Sequence, residues 1–198
     1  CQGTWITLVN NCGFSEEEAK AVEKNYHGMY SASGVWLEAK LLEASKLGYA
    51  KLAFGLRLRT PLLARTVMGS SMKANISSAE ARTAGNALSG QSYGLLNCKA
   101  ANDFMERVYA SPYKYDIMPV MQIHDAQYYI FPDDVDIVKW VNDNLIECMS
   151  WQDLPELQHD VVKLGSNLDL FYPSWQHAIT LPNNISIEEI YDTVAKQS

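Results

Sequence analysis

Two short strand-like segments separated by three residues constrain the fold of this chain more than any other feature. Residues 119–123 and 127–131 carry Val, Ile, Tyr and Phe, the residue types that favour β-strands. The intervening His124-Asp125-Ala126 is too short to connect anything but antiparallel neighbours. The sequence therefore predicts a tight β-hairpin with a His-Asp dipeptide at its tip.

Helices are predicted for most of the region that precedes this hairpin. Ser15 and Glu18 have capping-box spacing and open a predicted helix over residues 15–30. A second helix is predicted over residues 33–47, where Gly48 ends it. Apolar residues at helical spacing support the first of these.

A second hairpin and an irregular helix are predicted next. Residues 49–59 alternate apolar and basic side chains around a glycine, which indicates a short hairpin or bent strand with one charged face. Ser77 and Glu80 have capping-box spacing and are expected to open a helix that extends towards Tyr109. Glycines cost roughly 1 kcal/mol each relative to alanine in a helix. The helix is therefore expected to be irregular around Gly85, Gly90 and Gly94.

The last part of the chain combines a helix with a strand. Asp133 is predicted to cap a helix whose apolar positions extend to Met149. Residues 161–165 are predicted to form the last strand. Strands that alternate irregularly with helices predict an α+β fold, with an antiparallel sheet covered on one side.

Charge is segregated along the chain, although the net charge is −7. Residues 44–79 contain six basic and no acidic residues, whereas residues 116–192 contain fourteen acidic and two basic ones. A basic segment can hold phosphates while the remainder repels them, because screening confines these effects to about 10 Å. The segregation is compatible with nucleic-acid binding, and a solvated face without a partner is the alternative.

Cysteine usage and hydropathy favour a cytoplasmic location. The four cysteines are scattered and form no CxxC pair, so no zinc site is expected. No apolar run approaches the roughly 20 residues that a membrane span needs. The first residues also lack the order of a signal peptide, and no membrane partner is expected.

Asp125 is the strongest candidate for a metal ligand. A carboxylate at the tip of a rigid hairpin can bind a hard divalent cation such as Mg²⁺ through oxygen. It would need a second carboxylate and the phosphates of a substrate to hold the ion firmly. An ordinary turn aspartate is the alternative, because Asp is a favoured turn residue.

A helical face supplies candidate nucleic-acid contacts. Arg82 and Asn86 are four residues apart, so they share one face of the predicted helix, and Gln91 lies just beyond. Their side chains could donate hydrogen bonds to phosphates or to acceptors in a DNA minor groove. A solvated helix face is the alternative.

Four motifs, in order, resemble those of family A DNA polymerases, such as bacterial DNA polymerase I. Residues 48–61 (Gly-Tyr…Gly-Leu-Arg-Leu…Pro) are similar to the segment after the fingers helices. Residues 82–92 (Arg-Thr-Ala-Gly-Asn-Ala…Ser-Gly-Gln-Ser) resemble the palm helix that follows the primer-template minor groove. Residues 120–125 resemble the motif C hairpin, and residues 165–178 (Gly-Ser…Trp-Gln-His-Ala) resemble the closing signature. Their order and separations match from about residue 14 to residue 178.

The resemblance implies a polymerase architecture. The fold would be the α+β palm, with the motif C hairpin in an antiparallel sheet packed with helices. Residues 1–76 would be the C-terminal part of the fingers with a connecting hairpin, and residues 77–178 the C-terminal part of the palm. Residues 179–198 would be a C-terminal extension. The implied activity is template-directed addition of dNTPs to a primer 3′ end.

The resemblance also implies roles for individual residues. Asp125 would be a ligand of two catalytic Mg²⁺ ions, and His124 would lie near the primer terminus. Contacts with primer-template DNA are implied for Lys51, Arg57, Arg82, Asn86 and Gln91.

Three departures from the family pattern bear on what the chain can do alone. Ala126 replaces the glutamate that usually follows the motif C aspartate. In the family, the glutamine that contacts the minor groove lies four residues after the asparagine, a position that Gly90 occupies in this chain. Gln91 lies one residue later, and a local bulge in the helix would be needed to restore its direction. The motif A aspartate and the nucleotide-binding fingers helix are absent. An N-terminal polymerase fragment is therefore expected as a partner, and the isolated chain is expected to be inactive.

Cys1 suggests how the two parts could be related. Cysteine is the nucleophile that an intein requires directly after its insertion point, because its thiolate attacks the upstream thioester. A splice or split-gene junction is therefore expected at Cys1, in an enzyme of phage type. An engineered start with an ordinary thiol is the alternative.

Three other functions remain open. A metal phosphohydrolase of the HD type would use His124 and Asp125 on a helix, together with further His and Asp ligands. A polymerase-like accessory fragment would bind DNA without catalysis. A single-subunit RNA polymerase shares a His-Asp hairpin, although the closing signature favours the DNA enzymes.

Overall fold

The structure is a computed structural model that describes residues 4–65, 74–151, 153–155 and 158–196. The chain forms two compact units, which are divided between Tyr93 and Gly94. Each unit combines helices with short antiparallel strands, which confirms the predicted α+β class at this coarse level. None of the helices in the described ranges is long and apolar enough to cross a membrane.

The first unit is mainly helical. Its helices are α1 (Trp5–Cys12), α2 (Glu16–Met29), α3 (Ser31–Leu47), α4 (Pro61–Arg65) and α5 (Ala74–Asn86). Between α3 and α4 lies a basic hairpin made of β1 (Tyr49–Lys51), a 3-10 turn (Ala53–Gly55) and β2 (Arg57–Arg59). A π-helical turn (Ala87–Gln91) leads from α5 into α6 (Ser92–Ala110), whose sequence crosses the division between the units.

Local sequence sets the ends of α2 and α3. The Ser15 hydroxyl accepts a hydrogen bond from the Glu18 amide, and the Glu18 carboxylate accepts one from the Ser15 amide, which confirms the capping box. α3 ends at Gly48, whose φ of 77° lies in the left-handed region that favours glycine. The predicted helices at 15–30 and 33–47 are confirmed to within two residues.

The core of the first unit fixes the orientation of the basic hairpin. Its buried residues are Leu41, Ala44, Ala50, Leu52, Leu63, Ala84, Ala87 and Leu88. Thr60 is fully buried, and its hydroxyl donates a hydrogen bond to the Ala44 carbonyl at 3.1 Å. Because alternate strand residues point to opposite faces, burial of Ala50 leaves the neighbouring Lys51 exposed.

The second unit contains the predicted His-Asp hairpin. Its elements after α6 are β3 (Met118–Ile123), β4 (Ala126–Ile130), α7 (Val135–Met149), β5 (Leu168–Phe171), β6 (Ala178–Leu181) and α8 (Ile187–Ala195). β3 pairs with β4 and β5 with β6, both antiparallel. In the described residues the sheets are all two-stranded, so the single antiparallel sheet predicted from the sequence is not formed.

Helices α6, α7 and α8 enclose the core of the second unit together with β6. Phe104 and Val108 of α6 and Val141 of α7 are fully buried there. The segment assigned from the sequence to a C-terminal extension contributes Ile179, Leu181, Ile185 and Ile190. Complete burial of such a side chain stabilises the fold by about 1.5–3 kcal/mol, so this segment is an integral part of the core.

The predicted cap of α7 is wrong by one residue. Asp134, not Asp133, precedes the helix, and its carboxylate accepts hydrogen bonds from the amides of Asp136 and Ile137 at 2.8 and 3.4 Å. A cap must lie directly before the first helical residue to reach these amides. Asp133 is therefore one position too early.

The predicted start of α5 is also wrong. The helix begins at Ala74, so Ser77 lies inside it and not at its N-cap. Glu80, predicted to complete the box, instead accepts a hydrogen bond from the backbone amide of Leu63 on α4. The Glu80 carboxylate is therefore engaged in a tertiary contact and does not cap the helix as the local pattern predicted.

The strand predicted at residues 161–165 does not form. Val161 and Val162 are exposed, and their amides donate hydrogen bonds to His159 Nδ1 at 3.1 and 2.8 Å. The histidine ring thereby takes the donors that a strand would need for its ladder. The strand of this region lies later, at Leu168–Phe171.

Candidate active-site hairpin and nucleic-acid interface

The His-Asp hairpin is confirmed, with a tighter turn than the sequence predicts. Ile123 pairs with Ala126 and Gln122 with Gln127, so the turn consists of His124 and Asp125 alone. Ala126, predicted in the turn, is the first residue of β4. A two-residue turn leaves few conformations to the chain, and the Asp125 carboxylate is therefore carried at a defined point.

A buried asparagine holds the backbone of this turn. Asn97 on α6 is only 4% exposed, and its side-chain amide donates a hydrogen bond to the His124 carbonyl at 3.1 Å. His124 has a φ of 53°, which few residues other than glycine adopt. Strained backbone of this kind persists only where neighbouring contacts fix it, and the Asn97 bond is such a contact.

A polar chain extends from Asn97 along the hairpin. Gln127 Nε2 donates to the carbonyl and the side-chain oxygen of Asn97 at 2.9 and 2.6 Å. The Tyr129 hydroxyl in turn donates to Gln127 Oε1 at 2.6 Å. Burial raises the pKa of Tyr129 to about 12, and the nearby Cys148 adds to the shift. Tyr129 therefore remains a hydrogen-bond donor through the physiological pH range.

Asn97 is not among the site residues predicted from the sequence, although the sequence contains a signal for it. The buried positions of α6 are Asn97, Ala100, Phe104 and Val108, spaced by three and four residues. An asparagine in line with three apolar residues is a polar group on a buried helix face, which requires hydrogen-bond partners. The pattern thus indicates a polar contact, but its partners on the hairpin are visible only in three dimensions.

Asp125 is suited to be one ligand of a metal site. It is exposed, and within the described ranges its carboxylate has no hydrogen bond or ion pair. Carboxylate oxygens are the hard donors that Mg²⁺ prefers. The described residues nevertheless contain no group of three or more His, Cys, Asp or Glu side chains that could hold a metal ion, and Ala126 adds no donor. The donor fits Mg²⁺ in kind, but the number of donors is insufficient.

The tryptophan of the closing motif contacts the same hairpin. Trp175 stacks on Tyr128 of β4, with ring centroids 5.1 Å apart and planes inclined by 26°. It also stacks on Phe171 of β5 at 4.7 Å and 8°. Stacked aromatic pairs contribute about 0.5–1.5 kcal/mol beyond their buried area. Trp175 therefore joins β5 to β4 of the His-Asp hairpin.

The bulge that would redirect Gln91 is present. Residues 87–91 form a π-helical turn directly after Asn86. A π turn accommodates one residue more than an α turn, so residue i+5 takes the direction that residue i+4 has in an α-helix. Gln91 consequently follows Asn86 on the helical face that also carries Arg82. All three side chains are exposed, and none has a hydrogen bond within the described part of the chain.

The basic hairpin presents its cations on one face. Lys51 lies directly opposite Arg57 in the ladder, and Arg59 lies opposite Tyr49. All three cations are exposed, and none forms an ion pair with another described residue. The Arg57 guanidinium lies 4.6 Å from the centre of the Tyr49 ring, a cation–π contact that orients it.

The candidate residues thus fall into two groups. Lys51, Arg57, Arg82, Asn86 and Gln91 belong to the first unit, whereas His124 and Asp125 belong to the second. Cys1, the predicted splice junction, lies outside the described residues. The His-Asp pair lies in a turn between strands and not on a helix, which disfavours the HD phosphohydrolase.

No protein-family model matches this chain, and the search of curated proteins found no relative.

Proposed function

We propose that this chain is the C-terminal part of a template-directed DNA polymerase that adds dNTPs to the 3′ end of a primer. It would act with an N-terminal part that carries motif A and the nucleotide-binding helix. Its site of action would be the cytoplasm of a bacterium or a phage-infected host, because its scattered cysteines favour a reducing compartment. A DNA-binding accessory fragment without catalysis is the second candidate.

The π turn at residues 87–91 is the observation that carries this proposal. The family pattern requires a glutamine one helical turn after the asparagine, and this chain has it one residue late. The π turn absorbs that residue, so the donors of Arg82, Asn86 and Gln91 keep the common direction that minor-groove contact needs. The combination of a late glutamine with a bulge that compensates for it supports the resemblance of this helix to the palm helix of the family.

The hairpin supplies the second line of support. Asp125 would be one ligand of the catalytic Mg²⁺ ions, and the Asn97 bond to His124 would hold the turn that carries it. When bound, Mg²⁺ lowers the pKa of the primer 3′ hydroxyl and stabilises charge on the transferred phosphate. His124, next to Asp125, would lie near the primer terminus.

The outer strand of the hairpin supports the need for a partner. All six residues of β3 are exposed, and in the described residues β3 pairs only with β4. Its exposed apolar side chains include Met118, Val120, Met121 and Ile123. Exposed apolar groups on a strand edge favour contact with another polypeptide. An N-terminal part that packs here would bring its motif A carboxylate to Asp125.

Reconstitution tests this proposal. The chain alone should bind primer-template but add no nucleotide, because one carboxylate cannot position two metals. Extension should appear on mixing it with an N-terminal part of a family A polymerase that ends after the nucleotide-binding helix. Binding without extension by a complex of the two parts would favour the accessory fragment. Extension by the rigorously purified chain alone would overturn the assignment.

A further inference from the structure

Helix α3 exposes apolar side chains on the side that points away from the core of the first unit. The buried residues of this helix are Leu41 and Ala44. Val35 lies nine residues before Ala44, which is two and a half helical turns, so the two side chains point in opposite directions. Val35 is 68% exposed, and Leu42, seven residues later and therefore on the same side, is 45% exposed. α3 thus has a second apolar side that remains exposed in the described part of the chain.

Two charges flank Leu42 at equal distances along this side of α3. Glu38 lies four residues before Leu42 and Lys46 four residues after it, so the three side chains form one ridge along the helix. Both charged side chains are exposed, and neither forms an ion pair with another described residue. By contrast, Lys40 and Glu43 of the same helix pair with each other at 3.3 Å. The outer face of α3 consists of Val35, Glu38, Ala39, Leu42 and Lys46.

The outer face of α3 is complementary to itself in an antiparallel crossing. If two copies cross with Leu42 on the two-fold axis, Glu38 of each copy meets Lys46 of the other, because the axis exchanges the two positions. A parallel crossing would instead place like charges together at both positions. A uniformly acidic or basic helix of another protein would repel one of the two charges. The charge pattern therefore favours a second copy of this chain as the occupant.

We propose that this chain forms an antiparallel two-fold dimer through the outer face of α3. Val35 and Leu42 supply the apolar centre, and two ion pairs between Glu38 and Lys46 fix the orientation. Exposed ion pairs contribute little affinity, so the apolar contact holds the copies together and the charges select the antiparallel arrangement. A contact of one helix with its copy is small, and the dimer is therefore weak and exchanges with the monomer. This surface belongs to the first unit, and its role does not rest on the proposed polymerase function.

Sedimentation equilibrium of the full chain at low ionic strength tests the dimer. The parent should show a monomer–dimer equilibrium. Glu38→Lys places a lysine against Lys46 at both ends of the contact, and Lys46→Glu places a glutamate against Glu38. Each variant alone should therefore dimerise about tenfold more weakly than the parent. Leu42→Glu brings two carboxylates together at the axis and should abolish the dimer. All three positions are exposed, so the thermal midpoints should change little and show that each variant is folded.

A mixture of two variants tests the antiparallel pairing itself. When Glu38→Lys meets Lys46→Glu, both charged contacts again join a lysine to a glutamate. The mixture should therefore dimerise about as tightly as the parent, although neither variant does so alone. The double variant Glu38→Lys/Lys46→Glu should recover for the same reason. Glu106→Lys makes the same change of charge at an exposed position of α6 and should leave the dimer unchanged.

Three results would overturn the inference. One is a parent chain that stays monomeric at every accessible concentration. Another is a dimer that survives Leu42→Glu, because the copies would then meet elsewhere. The third is a mixture of Glu38→Lys and Lys46→Glu that associates as weakly as the separate variants.

The same variants separate this inference from the polymerase proposal. A monomeric parent that binds the N-terminal polymerase part, and loses that binding in Leu42→Glu, would identify that part as the occupant of the outer face and overturn the dimer alone. A dimer with the predicted charge dependence, in a chain that yields no primer extension in the reconstituted mixture, would contradict the polymerase proposal and leave this inference standing.

Discussion

The side-chain amide of Asn97 donates a hydrogen bond to the backbone carbonyl of His124 at 3.1 Å, across 27 residues of sequence. This bond joins a buried position of α6 to the turn that carries Asp125. The position of the exposed carboxylate therefore depends on a side chain that would not itself contact a substrate. Gln127 and Tyr129 extend the same polar chain along β4.

Replacement of Asn97 by alanine should destabilise the second unit. The change removes the side-chain donor of the His124 carbonyl and one acceptor of Gln127 Nε2, which keeps the Asn97 backbone carbonyl, and loss of such hydrogen bonds costs about 0.5–1.5 kcal/mol. Asn102→Ala is the matched control, because Asn102 is exposed on the same helix and should change stability by less than about 0.5 kcal/mol. Urea unfolding of both variants measures the difference. Equal midpoints would show that the Asn97 bond does not hold the turn.

Deletion of Gly90 should be tolerated. Removal of one residue converts the π turn to a regular α turn and brings Gln91 to the position four after Asn86, so the helical face is preserved. The thermal midpoint should not fall, and duplex affinity should remain within about threefold of the parent, roughly 0.6 kcal/mol.

Deletion of Asn102 from the regular part of α6 is the control for that experiment. It rotates all later residues of the helix by about 100°, which removes Phe104 and Val108 from the core. This variant should therefore fail to fold. If the two deletions lowered the thermal midpoint equally, residues 87–91 would not be a turn that holds one extra residue.

Arg82→Ala should weaken duplex binding and flatten its salt dependence. Each phosphate contact contributes about 0.9 to the slope of log K against log salt, because it releases condensed counterions. The slope should therefore fall by about one unit, as measured by anisotropy over a series of salt concentrations. Lys24→Ala removes the same charge from α2 and should leave the slope nearly unchanged. Identical slopes for both variants would show that Arg82 makes no phosphate contact with the duplex.

The raised pKa of Tyr129 predicts a loss of stability at high pH. Burial in the folded state raises the pKa of the Tyr129 phenol to about 12, above its usual value of about 10. The unfolded chain releases its proton first, so this contribution is complete below pH 10 and is lost as pH rises from about 10 to about 12. The parent should therefore lose more stability than Tyr129→Phe over this window. Parallel curves for the two proteins would contradict the burial of this hydroxyl.

Features governed by neighbouring residues could be predicted from the sequence. The Ser15 cap, the Gly48 stop and the His-Asp hairpin all depend on contacts within a few positions, although the turn is one residue shorter than predicted. Glycines also indicated that the helix after Asn86 would be irregular, but not that the irregularity would be a π turn. An added Cβ at Gly90 would meet nothing within 4 Å in the described structure, so close packing is not the reason for this glycine.

Features governed by distant residues could not be predicted. Glu80 binds the Leu63 amide and so does not form the local box. His159 takes the amides of Val161 and Val162, although their β-branched side chains favour a strand. The Asn97 contact with the turn belongs to the same class. The local sequence pattern predicted Asp125 as a candidate metal ligand. The hydrogen bond that supports its turn could be found only in the folded structure.

The most direct test is single-turnover nucleotide incorporation by Asp125→Asn in the reconstituted two-part enzyme. The amide is nearly isosteric but lacks the negative charge that a metal ion needs, and Asp133→Asn is the matched control at an exposed carboxylate outside the site. Asp125→Asn should lower the incorporation rate by roughly two to three orders of magnitude while primer-template affinity is retained, whereas Asp133→Asn should behave as the parent. An unchanged rate of incorporation per bound complex in Asp125→Asn would contradict the assignment of Asp125 to the metal site and, with it, the polymerase account.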